Sequence, residues 1–389
     1  MRIFVLGAGA TGSLLAQLLE RQGHTVWCGD RDPARARRFL GRKSRIPVVA
    51  VNARNLRGVV RAGRGCQLII NASASLYNEI VLRAALRLRA HYLDLSSHLR
   101  RHPFKAEQFR YAKKFEAKKR AAVINAGAAP GLTNLLVRRA ADALDRVEAV
   151  HVRLFESTES DDPISQWSPE VSFDEAVSHP RVYREGKFVF RKRFAEAETF
   201  RFAEPVGSAR VVLAAQDEVA TLPHFIPMRE LEVKIGGNEI ERLRRWHRQG
   251  KLSRSRGMAR HRFPQTPTPR LVAKLIRKGV LQNARFAAAV LVRGEKKEKP
   301  LLLRTDCAFP TLYQIRQRGL FTTPVAYIAA HMASLFVKYF PRELAGVFAP
   351  ETLPLETRRA ILSGIRNNSI RITHKTALVR HTGKDEEEF

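Results

Sequence analysis

Acid is in short supply in this chain. Its 389 residues hold 37 Asp and Glu against 69 Lys and Arg, a formal net charge of +32. Cysteine is scarcer still: Cys28, Cys66 and Cys307 are odd in number and far apart. That excludes a disulfide framework, offers no metal-site spacing, and fits a reducing cytoplasm. No apolar run reaches the roughly 18 residues of a membrane span. The longest, 325–337, contains His331, and the apolar start at 1–6 is too short for a secretion signal. A hydrophobic share of 44% excludes wholesale disorder, and the length asks for two or three domains. The positive field attracts polyanions: RNA, DNA, acidic membrane surfaces or phosphorylated metabolites. Yet the basic clusters recur all along the chain, at 35–45, 54–64, 83–89, 100–120, 181–193, 242–262 and 296–299. A binding tail would concentrate them, so solvated faces are the first reading and a nucleic-acid partner the second.

The first third alternates strand and helix. Apolar runs at 3–6, 25–29, 48–51, 68–71, 91–95 and 121–124 read as strands, and 12–21, 33–40, 78–88 and 104–119 as helices. Such alternation implies a parallel sheet with right-handed crossovers. From about 147 the rhythm changes. Alternating segments at 147–156, 182–202, 209–219 and 231–235 are followed by a basic helix at 240–249, a proline-rich connector at 263–269 and a helix at 271–281. A hairpin follows, with arms 285–294 and 300–306 and tip 294–299, then an apolar helix at 324–340. The second part is therefore α+β with a mainly antiparallel sheet.

Gly7-Ala8-Gly9-Ala10-Thr11-Gly12 is a G-x-G-x-x-G turn between the first strand and an apolar helix. In that context the pattern has a mechanism: Gly7 makes the turn, Gly9 lets backbone approach a pyrophosphate, and Gly12 lets helix pack on strand. The helix amino end then faces the phosphates. Asp30 ends the second strand, 18 residues after Gly12, where a carboxylate accepts both hydroxyls of an adenosine ribose. It favours NAD over NADP, although Arg31 next door can stack on adenine or pair with a 2′-phosphate. The fold class read from this is α/β, a Rossmann doubly wound parallel sheet, plus the α+β domain. The domains are 1–132 (dinucleotide binding), 133–322 (substrate and dimerisation), 323–355 (a helical return to the first domain) and 356–389 (an extension whose charged end, 383–389, is expected to be loose).

Further motifs follow in order: Asn71-Ala72-Ser73, Asp94-Leu95-Ser96-Ser97-His98, and Asn125-Ala126-Gly127-Ala128-Ala129-Pro130-Gly131. Later come Gln166-Trp167-Ser168-Pro169, Thr221-Leu222-Pro223 and Gly346-Val347-Phe348-Ala349-Pro350-Glu351. With these, roughly residues 1–355 resemble the saccharopine dehydrogenase family, which includes saccharopine reductases and lysine 6-dehydrogenases. The resemblance implies NAD(P), a second domain that closes over an amino-acid or amine substrate, a homodimer, and hydride transfer at a carbon bearing nitrogen. It puts Asp94 and the Pro130-Gly131 loop near nicotinamide and substrate. Asp94 is then a substrate contact or a backbone holder, and His98 the acid/base, its ordinary pKa of roughly 6.5 suiting that task. Asn125, Gly127, Pro130 and Gly131 are substrate-binding candidates. Gly7, Ala8, Gly9, Ala10, Thr11, Gly12, Asp30, Arg31, Asn52, Asn71, Ala72 and Ser73 are the cofactor-binding candidates.

Two positions depart from the family's pattern. Ala129 stands where many saccharopine reductases carry an acid, which is closer to the lysine dehydrogenases. Asn52 stands where relatives place an Asp against adenine. The competing reading is a non-enzymatic dinucleotide sensor or polyanion binder that uses the basic surface.

Overall fold

In the computed structural model, residues 1–252, 264–365 and 370–378 are described. The basic run 242–262 lies partly, and the charged end 383–389 wholly, outside them.

The first part runs β1 (Arg2–Leu6), α1 (Ala10–Arg21), β2 (Thr25–Asp30), α2 (Pro33–Leu40), β3 (Val48–Ala50), α3 (Leu56–Ala62), β4 (Leu68–Asn71), α4 (Asn78–Leu88), β5 (His91–Asp94), α5 (Ala112–Ala117), β6 (Ala121–Val123) and α6 (Leu132–Ala141). The second runs β7 (Arg146–Ser160), α7 (Pro169–Val177), β8 (Arg181–Arg184), β9 (Lys187–Phe190), β10 (Glu198–Arg201), β11 (Ser208–Leu213), α8 (Leu222–Phe225), β12 (Glu230–Gly236), α9 (Asn238–Arg248), α10 (Pro269–Arg277), β13 (Leu281–Lys296), β14 (Lys299–Ala308) and α11 (Leu312–Gln317). The chain ends with α12 (Pro324–Lys338), β15 (Gly346–Phe348), α13 (Leu355–Gly364) and β16 (Arg371–Leu378).

The first sheet has seven strands in the order β15-β6-β5-β4-β1-β2-β3. Every neighbouring pair is parallel. Chain order reverses between β1 and β4, and the space above the carboxyl ends of those two strands is where an open α/β sheet receives a ligand. Ile3, Phe4, Val5 and Leu6 are buried on both faces, as parallel strands covered by helices must be. One cover is α1, which buries Leu14, Leu15 and Leu19, each contributing about 2 kcal/mol. The C-terminal α12 lies across α1, and β15 extends the sheet beyond β6, with Ile124 N–H donating to the Phe348 carbonyl at 2.9 Å.

The second sheet has nine strands, its main path being β10-β11-β12-β7-β13-β14-β16, with β8 and β9 attached to β12. Only β12 and β7 run parallel; the other neighbours are antiparallel. The last strand thus comes from the segment 356–389, which forms α13 and β16 before leaving the described residues.

Several elements differ from the sequence expectation. The helix expected at 104–119 is a 3-10 turn, Glu107–Tyr111, followed by the short α5. Glu107 and Gln108 are buried and bonded to the β5 loop, which holds that turn apart from the helix. The helix expected at 271–281 starts earlier, with Thr268 Oγ1 capping Leu271 N–H, and ends before Gly279, whose φ of +73° breaks it. The alternating stretch 182–202 is a hairpin plus a separate strand. The tip expected at 294–299 shrinks to Lys297-Glu298, because strand pairing continues to Lys296 opposite Lys299.

Candidate functional site

The glycine turn sits at the switch point. Gly7 has φ +95°, and a Cβ there would meet Ser73 N at 2.6 Å. A Cβ on Gly12 would meet the Gly7 carbonyl oxygen at 1.9 Å. A Cβ on Gly9 would meet nothing within 4 Å. Two glycines are therefore required by packing, and the third borders open space at the amino end of α1. No side chain caps that end, so its N–H groups keep their capacity for an anion. Asp30 Oδ2 accepts from Ala8 N–H at 2.9 Å and Oδ1 from Asp32 N–H at 3.0 Å, which fixes that carboxylate beside the turn. These residues fit a dinucleotide. Arg31 and Asn52 are exposed nearby, Asn52 Oδ1 accepting from Arg54 N–H at 3.0 Å. Asn71 is buried at the end of β4, donating to Asn78 Oδ1 at 2.6 Å and accepting from both Ser73 N–H and Ser73 Oγ. The half-buried Ala72 and Ser73 thereby form the opposite wall of the turn.

The ends of β5 and β6 meet through Asp94. Its Oδ1 accepts Asn125 N–H at 2.8 Å, while Oδ2 accepts Tyr92 O–H at 2.9 Å and Gln108 Nε2 at 3.0 Å. Asp94 is 1% exposed, and burial pushes its carboxyl up to about 7 against the pull of those three donors. Asn125 has φ +57°, accepts Ser97 Oγ at 2.9 Å, and leaves its buried Nδ2 without a hydrogen bond. Gly127 and Gly131 bridge one another, and Gly131, at φ +132°, places its missing Cβ 2.0 Å from the Gly127 carbonyl oxygen. With Pro130 they form a buried, self-bonded loop. His98 is nearly buried too, Nδ1 lying 3.0 Å from the Ser75 carbonyl and Nε2 3.9 Å from Glu107 Oε2. Asp94, Ser97 and Asn125 are thus brought together, and Gln108 ties the His98 backbone to Asp94 while the His98 ring faces Ser75 and Glu107; Asp30 lies at the other side of the switch point.

The sequence reading passed over the acids that the second domain brings to this junction. Asp217 Oδ2 accepts Ser97 N–H at 2.8 Å, and Glu218 Oε1 accepts Thr133 Oγ1 at 2.7 Å. Asn134 Nδ2 donates to Glu351 Oε2 at 3.0 Å and to Thr221 Oγ1 at 3.1 Å. Burial pushes Asp217 up to about 6 and Glu218 up to about 7, and raises Glu351 as well. The signal was available: in an acid-poor chain, Asp217-Glu218 stands between Ala214-Ala215 and Val219-Ala220, a poor setting for a solvated pair.

A 3-2-1-4-5-6 parallel order with this turn at its reversal defines a Rossmann-type dinucleotide-binding domain. Residues 3–125 match the family described as the saccharopine dehydrogenase NADP binding domain. The whole chain shares the fold of apo saccharopine dehydrogenase (L-Glu forming) from Saccharomyces cerevisiae: TM-score 0.69, 11% identity, 97% of this chain and 99% of that one. A probable dehydrogenase from Thermotoga maritima aligns at TM-score 0.45 and 9% identity over 94% of this chain and 95% of that one. A stretch of 39 residues is 56% identical to the Trk system potassium uptake protein TrkA of Streptomyces coelicolor, covering 10% of this chain and 18% of that protein. Among the described residues, no helix is long and apolar enough to cross a membrane.

Proposed function

We propose that this protein is an NAD(P)-dependent oxidoreductase acting at the C–N bond of an amino-acid or amine substrate, in the manner of a saccharopine reductase or a lysine 6-dehydrogenase. The observation that carries the reading is the open space at Gly9, set against the amino end of α1 and beside the strand ends that hold Asp94 and Asn125. The N–H groups of α1 would hold the pyrophosphate and Asp30 the adenosine ribose. When bound, the nicotinamide accepts or gives a hydride.

The chain's own residues do the rest. Both Asp94 oxygens are taken by protein donors, so Asp94 is a positioning residue that sets Asn125 at its positive φ. Asp217 holds Ser97, which in turn holds Asn125. The buried acids around these strand ends favour a cationic nitrogen over a second anion. His98 is the proposed proton carrier for that nitrogen. Asp30 repels a 2′-phosphate, so NAD is the proposed partner. The homodimer and the lysine-related role belong to the same reading.

The test is cofactor reduction with a panel of amino acids and diamines. The expected result is amine-dependent NADH formation, with kcat reduced roughly 100-fold in His98→Gln and NADH affinity unchanged. No turnover with any amine, together with tight nucleic-acid binding that weakens steeply with salt, supports the sensor or polyanion-binding reading instead.

A further inference from the structure

We propose that a row of aromatic rings across the junction of the two domains, with the cations on either side of it, is a binding surface for single-stranded nucleic acid. Phe190, at the end of β9, lies 4.7 Å from Phe104 between ring centroids. Phe104 stacks on Phe188 at 5.3 Å, and Phe188 on His224 at 5.1 Å. Phe225, the next residue of α8, packs against Phe109 at 5.3 Å. Phe104 and Phe109 belong to the first domain and the other rings to the second. His224 Nε2 lies 2.8 Å from the Phe104 carbonyl oxygen, which braces the row across the junction. Both ends are open: Phe190 is 48% exposed and Phe225 37%, and His224 is exposed as well. One exposed ring is ordinary on a protein surface, whereas a contiguous row rimmed by charge marks a binding surface.

The charge beside the row chooses the partner. Residues 100–114 hold six Lys and Arg against one acid, Glu107, which is buried. Residues 187–193 hold four and no acid. The whole chain holds 69 against 37, so the excess here is local and exceeds the general bias of the sequence. Arg101, Lys105, Lys187 and Lys192 are exposed, while Arg110 and Arg191 each have an acid at 3.4 Å, Glu79 and Glu196. Cations flanking open rings match the two halves of a nucleotide: phosphates pair with Lys and Arg, and bases stack on the rings. A duplex keeps its base faces inside its own stack, so a single strand is the better fit. An acidic membrane is the poorer one, because these rings brace one another and would have to leave that packing to insert.

This surface is independent of the redox reading. The test is fluorescence anisotropy of the full chain with a labelled strand of about 20 thymidines, against an abasic deoxyribose-phosphate strand of the same length, which keeps the charge and lacks the bases. The expected result is thymidine binding at least about tenfold tighter than abasic binding. Phe190→Ala and Phe225→Ala should each weaken thymidine binding about fivefold or more and leave abasic binding unchanged. Lys187→Gln should weaken both and make their salt dependence shallower. NADH affinity should be unchanged in all three variants. Equal affinity for the two strands in the wild type overturns the proposal, as does an unchanged thymidine Kd in both ring variants. It is also overturned if Phe190→Ala weakens binding to vesicles of about 30% phosphatidylserine and leaves thymidine binding untouched, which makes the row a membrane contact. If NADH still binds after such a result, the dinucleotide reading survives alone. If the ring variants do not fold, the wild-type comparison of the two strands decides.

Discussion

Gly9 and Gly12 share one turn and have separate duties. Gly9→Ala places its methyl in open space at an extended φ of −78°, so Tm should stay within a few degrees while NADH binding weakens about tenfold or more by calorimetry. Gly12→Ala drives a methyl into the Gly7 carbonyl, so it should lower Tm sharply even without ligand. If Asp30 meets the adenosine ribose as proposed, NADH should bind more tightly than NADPH, and Asp30→Ser should narrow or reverse that order. A tenfold preference for NADPH in the wild type removes the Asp30 argument. Asp94, Asp217 and Glu218 hold their protons more tightly folded than unfolded. Their stabilising contribution is therefore complete below about pH 4 and drains as pH rises to about 7. Glu232 runs the other way. Burial opposes its charge, but Arg153, His151, Lys234 and Arg184 bring it down to about 2, so its contribution is present above about pH 4.5 and is lost towards pH 2. Asp94→Asn should flatten the fall in Tm between pH 4 and 7; an unaltered slope in thermal melts would show that Asp94 does not titrate there.

Turns and caps tell the most at the scale of elements. Lys297 and Glu298 connect β13 to β14 with φ of +49° and +61°, a two-residue hairpin turn built from residues that dislike it. Replacing the pair with Asn-Gly should stabilise the chain by about 1 kcal/mol, read as a higher Tm at unchanged activity. Glu185-Gly186 between β8 and β9 has the same handedness and already carries the glycine. The strands and helices of the first sheet were legible because each carries its own period: α2 and α4 fall at 33–40 and 78–88, as the apolar spacing predicts. Helices α3, α6 and α7 were not read from it. Helix α3 has only Val59 fully buried, and α7 begins on a proline and mixes Glu, Ser and Asp into its apolar positions. The long helix expected at 104–119 failed because Gln108 is claimed by Asp94, a partner 14 residues away that no local pattern displays.

Across the whole molecule, the two sheets exchange chain. The C-terminal α12 covers α1 and β15 pairs with β6, while β16 returns to the second sheet beside β14. A fragment ending near residue 145 lacks both covers and would expose the apolar face of α1. We expect it to melt without a cooperative transition and to bind a hydrophobic dye, whereas the full chain gives a sharp melt. The chemistry of a dinucleotide turn, an acid 18 residues further on and the switch between alternating and antiparallel rhythm were determined by sequence alone, because each depends on residues close together in the chain. Only the tertiary structure decided that Asp94 is enclosed by its own neighbours and that Asp217, Glu218 and Glu351 converge on the strand ends. An acid's burial depends on what the distant chain packs over it, which no local spacing records.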